Sequence, residues 1–340
     1  MAKKLIFTFT AFVLTSIFFS TRAQDATFSQ FYANPTYLNP ALAGSGICPR
    51  VSLNYRNQWP GIGKFITYSA SYDQYVPWLS GGFAVNVFND LAGTGELTNQ
   101  SVSLQYSYHF QVNKKLSINA GLEAAYRNRG IKWQNLTFGD QIDPTYGFIY
   151  ETQEDIVNYA ENKNAPDFAS GFVGYGSIND KFDYYFGFAA HHITQPNLGF
   201  LGESRLPMKL TANLGATFPL NPFGRYKTNT GNRPKNAATL SPNILFQKQQ
   251  DFMQINYGLY AVKGPIVGGL WLRQGSENVD AFIILLGIEQ NSWKFGYSYD
   301  VTLSSLLNSN TRGSHEISMG YRLPCRYKGK NYQTINCPTF

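Results

Sequence analysis

Alternation with a period of two residues runs through most of this chain. From Ser101 to Phe110 the sequence reads S-V-S-L-Q-Y-S-Y-H-F, so Val102, Leu104, Tyr106, Tyr108 and Phe110 share one face. Leu116, Ile118, Ala120, Leu122, Ala124 and Tyr126 repeat the pattern against Ser117, Asn119, Gly121, Glu123 and Arg127. Successive side chains of an extended strand point to opposite faces, so alternation over eight or more residues predicts a half-buried strand. Fourteen such segments are predicted, beginning near positions 50, 64, 81, 99, 116, 168, 183, 208, 240, 251, 265, 280, 293 and 314. Those at 168 and 280 alternate poorly, which leaves the count open by two.

The apolar faces are unusually aromatic. The chain holds 23 Tyr and 26 Phe, and only 14% of its residues are charged. A soluble sandwich or propeller, the competing all-β reading, has little room to hide that surface. A membrane barrel uses it as an outward band with aromatic girdles. Strands of about ten residues cross the hydrocarbon when tilted, and an even number closing on itself leaves no backbone group unpaired in lipid. The predicted fold is therefore all-β: a transmembrane antiparallel β-barrel of about 14 strands over residues 50–323.

The N-terminus fits export to such a membrane. Lys3 and Lys4 precede an apolar run from Leu5 to Phe19, and Thr21-Arg22-Ala23 supplies small residues at a peptidase site. Residues 1–23 read as a signal peptide, the run being short for a spanning helix. With the start of the barrel in the periplasm, the long connections 89–99, 129–167, 193–207 and 302–312 face outside. The connections 74–80, 111–115, 177–182, 263–264 and 290–292 are tight, as expected on the inner side. The inner connection 219–239 breaks the rule and carries Arg225, Lys227, Arg233 and Lys235.

Charged residues fall into recognisable places. Arg56, Asp73, Glu123, Arg127, Asp300 and Glu316 lie opposite the aromatic faces and so point into the lumen. Unpaired buried charge is costly, so they read either as a network that holds the barrel in shape or as the lining of a selective conduit. The outer segment 129–167 bears Asp140, Asp143, Glu151, Glu154, Asp155, Glu161 and Asp167. It is either a binding surface or lid, or a solvated cover; its spacing is not that of a calcium loop. The net charge of +7 is scattered rather than clustered on one helix, which argues against nucleic acid.

No enzyme or cofactor is expected. His191 and His192 are neighbours at a strand end, where adjacent side chains face opposite ways, so they read as structural and not as a metal pair. No Ser–His spacing is singled out as a hydrolytic pair, and Gly61, Gly63, Gly93 and Gly95 read as turn glycines. The export signal permits disulfides. Cys325 and Cys337 form one candidate pair in the tail 324–340, leaving Cys48 over, although sequence alone does not fix connectivity. Residues 24–49, with Pro35 and Pro40 each after Asn, read as an extended periplasmic collar or plug at the inner end.

Taken together, several blocks resemble the PorP/SprF family of type IX secretion system membrane proteins. They are Q-D-A-T-F-S-Q-F-Y-A-N-P-T-Y-L-N-P-A-L-A-G from Gln24, Arg56-Asn57-Gln58-Trp59, Gly81-Gly82, Y-S-Y-D-V-T-L-S from Tyr297, Ser314-His315-Glu316-Ile317 and the closing Cys337-Pro338-Thr339-Phe340. The resemblance implies an outer-membrane barrel that helps secrete and hold a large surface adhesin, recognised through its C-terminal targeting domain. It also implies association with the periplasmic lipoprotein ring of the secretion machine, and it transfers no catalytic residue. On that footing Asp140, Asp143, Glu151, Glu154, Asp155 and Glu161 become candidates for cargo binding. Arg225, Lys227, Arg233 and Lys235 become candidates for docking a periplasmic partner. The alternative is a transporter or porin for a small solute.

Overall fold

The computed structural model describes residues 25–324, apart from 47, 94–96, 114, 155–158, 179–181, 221–237, 277 and 305–307. Among them fourteen antiparallel strands close into a barrel. These are β1 Arg50–Gln58, β2 Phe65–Val76, β3 Gly81–Ala92, β4 Leu97–Gln111, β5 Leu116–Gly130, β8 Asn162–Ile178 and β9 Phe182–His191. The circuit continues with β10 Lys209–Pro219, β11 Ala238–Gln249, β12 Phe252–Lys263, β13 Ile266–Gly275, β14 Val279–Gln290, β15 Trp293–Thr302 and β16 Ser314–Arg322. β16 returns to pair with β1, from Arg50 opposite Arg322 to Gln58 opposite Ser314. A small hairpin, β6 Ile142–Asp143 with β7 Gly147–Phe148, stands apart in the loop between β5 and β8.

The fourteen predicted segments are these fourteen barrel strands. Burial tracks the predicted faces: in β1, Ser52, Asn54 and Arg56 are buried while Leu53 and Tyr55 are exposed. Exposed here means lipid-facing, and it includes Tyr68, Leu104, Leu122, Leu214, Leu270 and Leu286. Tight turns link β2 to β3, β12 to β13 and β14 to β15 at the end where β1 begins, which for such barrels is the periplasmic end. The loops 131–161, 192–208 and 303–313 lie at the opposite, outer mouth.

Of the two readings of residues 24–49, plug or collar at the inner end, residues 25–49 form a plug, but one that is not confined to that end. They run inside the barrel along its length as short turns, Phe31–Ala33, Pro35–Leu38 and Pro40–Leu42. Asp25 meets His192 and Gln249 at the outer mouth, whereas Gly44 lies against Gln74 and Gly82 beside the periplasmic turns. The segment touches opposite walls, from Ser69 of β2 and Thr36's partner Gln105 of β4 to Trp271 of β13 and Glu316 of β16. Only a chain within the lumen can do so.

This plug divides the lumen wall. Phe31, Tyr32, Leu38 and Leu42 pack with Val173, Tyr175, Tyr185, Leu245, Tyr260, Val262, Val267, Trp271, Ile283 and Leu285 in one apolar core. The ring centroids of Phe31 and Trp271 are 5.0 Å apart, those of Tyr32 and Tyr260 4.6 Å, both edge-on, a favoured aromatic geometry. Where β8 and β12–β14 meet the plug, at Val173, Tyr175, Tyr260, Val262, Val267, Trp271, Ile283 and Leu285, the wall is thus apolar on both faces, one toward lipid and one toward the plug. That is why the segments at 168 and 280 alternate poorly. The wall of β1–β5 keeps a polar inner face, including Ser69, Ser71, Asn86, Ser103, Gln105 and Asn119.

A second correction concerns the cysteines. Cys48 is disulfide-bonded, not left over, and a chain with three cysteines has room for one intramolecular bond. Cys325 and Cys337 lie outside the described residues, as do Arg225, Lys227, Arg233 and Lys235.

Candidate functional site

The predicted lumen charges converge on the plug rather than on an open path. Arg56 of β1 lies between Asp300 of β15, at 2.9 Å, and Glu316 of β16, at 3.0 Å. Arg273 of β13 adds a contact to Asp300 at 3.0 Å. Two guanidinium groups and two carboxylates balance, and all four side chains are nearly sealed from solvent. The plug completes their hydrogen bonding. Ser29 donates from its hydroxyl to Asp300 (2.6 Å) and accepts from both Arg56 and Arg273. The backbone amides of Ser29 and Gln30 donate to Glu316 at 2.7 and 2.9 Å, and Ser318 donates to the Gln30 amide oxygen at 2.6 Å. Charge-assisted bonds of this kind are short and strong, and within a closed lumen they are weakly screened.

The other predicted residues form separate anchors. Asp73 holds Arg50 through two bonds, 2.8 and 2.9 Å, and accepts from the Gly44 amide at 3.0 Å. Glu123 accepts from Gln105, whose amide also donates to the Thr36 carbonyl at 3.0 Å. Arg127 pairs with Asp167 at 2.6 Å. Asp167 was expected in the outer loop, but β8 begins at Asn162 and carries it into the wall facing the lumen. So Arg56, Asp300 and Glu316 come together, while Asp73, Glu123 and Arg127 each act at a different height.

His192 adds a clasp that the sequence reading missed. Its Nδ1 lies 2.7 Å from Asp167 and its Nε2 2.6 Å from Asp25. The expectation that His191 and His192 face opposite ways fails because His192 leaves the strand with φ 58°. Both rings are buried, and His191 reaches the Leu38 carbonyl at 3.3 Å. Burial pushes the His192 imidazole toward neutrality, but the Asp25 charge and the bonds to Asp167 and Asp25 outweigh it and raise its pKa. Only the imidazolium donates from both nitrogens. The clasp therefore contributes in full below the ordinary imidazole value of about 6.5 and is lost as pH climbs through the raised value. The amide protection factors of residues 25–29, which are free of the intrinsic rise of exchange with pH, are expected to fall over that upper range, and His192→Phe should remove that fall. A flat profile in the wild-type chain would contradict the clasp.

Glycines floor the path of the plug from Asn39 to Gly44. A Cβ at Gly121 of β5 would collide with Pro40 C and Ala41 N, and one at Gly82 of β3 with the Ala43 carbonyl and Gly44 Cα. Gly171 of β8 makes the same allowance for the Asn39 side chain. Asn39 in turn donates to the Phe172 and Phe188 carbonyls.

At the outer mouth the loop 131–161 rests on Trp133, which is buried, packs on Tyr159 and Phe200, and donates to the Ala160 carbonyl. Two of its candidate cargo carboxylates are occupied internally. Asp140 accepts from the Gln153 amide at 2.6 Å and from Thr152. Asp143 accepts from the Thr145 and Tyr146 amides at 2.7 and 2.9 Å and from the Tyr150 hydroxyl. The backbone bonds from Gln153 and from Thr145 hold these carboxyls below the usual range. Glu154 accepts from Tyr159, Glu161 from Gln134, and Glu151 is exposed. Asp155 lies outside the described residues.

A closed barrel with a lipid-facing apolar exterior and a lumen filled by its own N-terminal segment is a plugged outer-membrane β-barrel. The pattern of type IX secretion system membrane proteins, PorP/SprF, matches residues 20–321, and the chain belongs to that family. It is thus an outer-membrane component of type IX secretion. Among curated proteins none matches. Solved structures similar to it include Omp33 of Acinetobacter baumannii, at 10% identity and TM-score 0.42, covering 82% of this chain and 100% of that one. The CymD monoaromatic hydrocarbon channel is 12% identical, with TM-score 0.42, covering 89% of this chain and 96% of that one. The KdgM porin is 9% identical, with TM-score 0.39, covering 81% and 99%.

Proposed function

We propose that this barrel supports the secretion and surface anchoring of a cognate large adhesin, engaging the adhesin's C-terminal targeting domain with its outer loops, chiefly 131–161. The observation that carries this reading is the filled lumen. A passage for solute needs a hydrated path, whereas residues 25–44 occupy this one and are bonded to walls on every side. What the barrel offers a partner is its outer loops, with the periplasmic lipoprotein ring of the machine as the partner below. Replacing residues 134–158 with a short Gly-Ser linker is expected to release the adhesin into the medium while the barrel still folds. Unchanged retention of the adhesin at the cell surface would overturn the reading. Purified wild-type chain in planar bilayers should be silent; a steady open conductance would favour the porin alternative.

A further inference from the structure

Asp140 and Asp143 of the outer loop are turned inward to its own backbone, and what the hairpin there presents instead is aromatic. Ile142 and Phe148 are directly paired across the β6–β7 hairpin and so share a face. They are 48% and 59% exposed, and Tyr146, Ile149 and Tyr150 are 77%, 54% and 55% exposed. These residues are not lipid-facing. β5 and β8 pair over fifteen positions, Leu116 opposite Gly176 to Gly130 opposite Asn162, more than the nine to eleven or so that a crossing needs. The hairpin therefore stands beyond the bilayer, in water, where five exposed large apolar side chains within nine residues mark an interaction surface.

The patch is also held ready. The Gln141 carbonyl accepts from the Ile149 and Tyr150 amides, and Asp143 and Asp140 fasten the turns on either side. Internal bonding of the polar groups fixes the aromatic side chains outward at little further entropic cost on binding. Its charge selects the partner. Residues 131–161 hold six acids against Lys132 alone, a net of −5 (1 − 6) on a chain of net +7. Glu151 follows Tyr150 directly in the chain, and Glu154 comes three residues later. Tyrosine and phenylalanine faces beside carboxylates suit guanidinium and ammonium groups, and an acidic loop is repelled by an anionic lipid surface.

We infer that Tyr146, Phe148, Ile149 and Tyr150 form the contact surface for a cationic face of an exported polypeptide, the adhesin's targeting domain, with Glu151 and Glu154 as its charged rim. This rests on the reading that the outer loops engage that domain, and it replaces Asp140 and Asp143 as the contacting groups. The test uses full-length chain in detergent micelles, titrated with the purified C-terminal domain of its adhesin and, separately, with phosphatidylglycerol vesicles. Tyr146→Ser/Phe148→Ser/Tyr150→Ser is expected to weaken domain binding by at least about 30-fold, since buried aromatic anchors dominate interfaces. Glu151→Gln/Glu154→Gln should weaken it less and flatten its salt dependence. Phe148→Lys, one exposed change that leaves the hairpin bonds intact, should also lose binding, and heat-modifiable gel migration verifies that each barrel is folded. Domain binding that survives the aromatic changes overturns this inference alone. Absence of binding by the wild-type chain overturns the functional reading and this inference with it. Vesicle binding that depends on the same aromatics overturns it in favour of lipid.

Discussion

Arg56→Met is expected to lower the unfolding free energy of the barrel by about 3–5 kcal/mol, the usual cost of breaking one side of a buried ion pair. Arg56 contacts both Asp300 and Glu316, and each is almost fully buried. Methionine fills a similar volume, so the loss is electrostatic. Asp300 would then keep Arg273, which it shares with Asp280, while Glu316 would keep only the two plug amides and no cation. Denaturant unfolding in micelles, followed by gel migration, reads the change. The companion variant Arg56→Met/Glu316→Leu removes both charges and should recover part of the loss, since replacing a whole buried pair is far milder than halving it. A loss below about 1 kcal/mol for Arg56→Met, the scale of exposed pairs, would show that the cluster is open to water.

Gly121→Val is expected to dislodge the plug without opening the barrel. The added side chain needs the space of Pro40 C and Ala41 N, and backbone cannot yield as a flexible side-chain tip can. Fifteen register pairs with β8 hold β5 in place, so the plug is what moves. Residues 25–44 should become sensitive to protease while gel migration remains that of a closed barrel. Planar bilayers should show steady conductance where the wild-type chain is silent. Gly268→Ala is the control, because a Cβ there meets nothing within 4 Å. A protected plug in Gly121→Val would mean that the close approach is relieved by other shifts.

The strands were legible because lipid outside and polar groups inside impose the period-two code. That code fades where the lumen wall meets the plug, as in Phe282-Ile283-Ile284-Leu285-Leu286, where Ile283 and Leu285 are buried and Ile284 and Leu286 face lipid. It also fails to mark where β8 starts, because Asn162–Asp167 extends beyond the bilayer and has no apolar face to show. Arg56, Asp300 and Glu316 could be assigned to the lumen from alternation. Their meeting point could not, because it depends on Ser29 and Gln30, some 270 residues away or more from Asp300 and Glu316 in the chain. Arg273 was hidden among the apolar residues of β13, and Asp25 and His192 came together only through a left-handed turn. The hairpin of the outer loop was read for its acids, which are countable, and not for its aromatics, whose exposure depends on which carboxylates the backbone consumes.

Arg56 and Glu316 are also direct partners across the β1–β16 register, where the first strand meets the last. Ser29 bonds to both. The joint that turns a curved sheet into a cylinder is therefore made of three pieces, two strand ends and a passenger from the N-terminus. A sheet that curls up with its passenger missing brings a guanidinium and a carboxylate together without the amides and hydroxyl that complete them. The seam is therefore fully bonded only in a cylinder that has wrapped its own beginning.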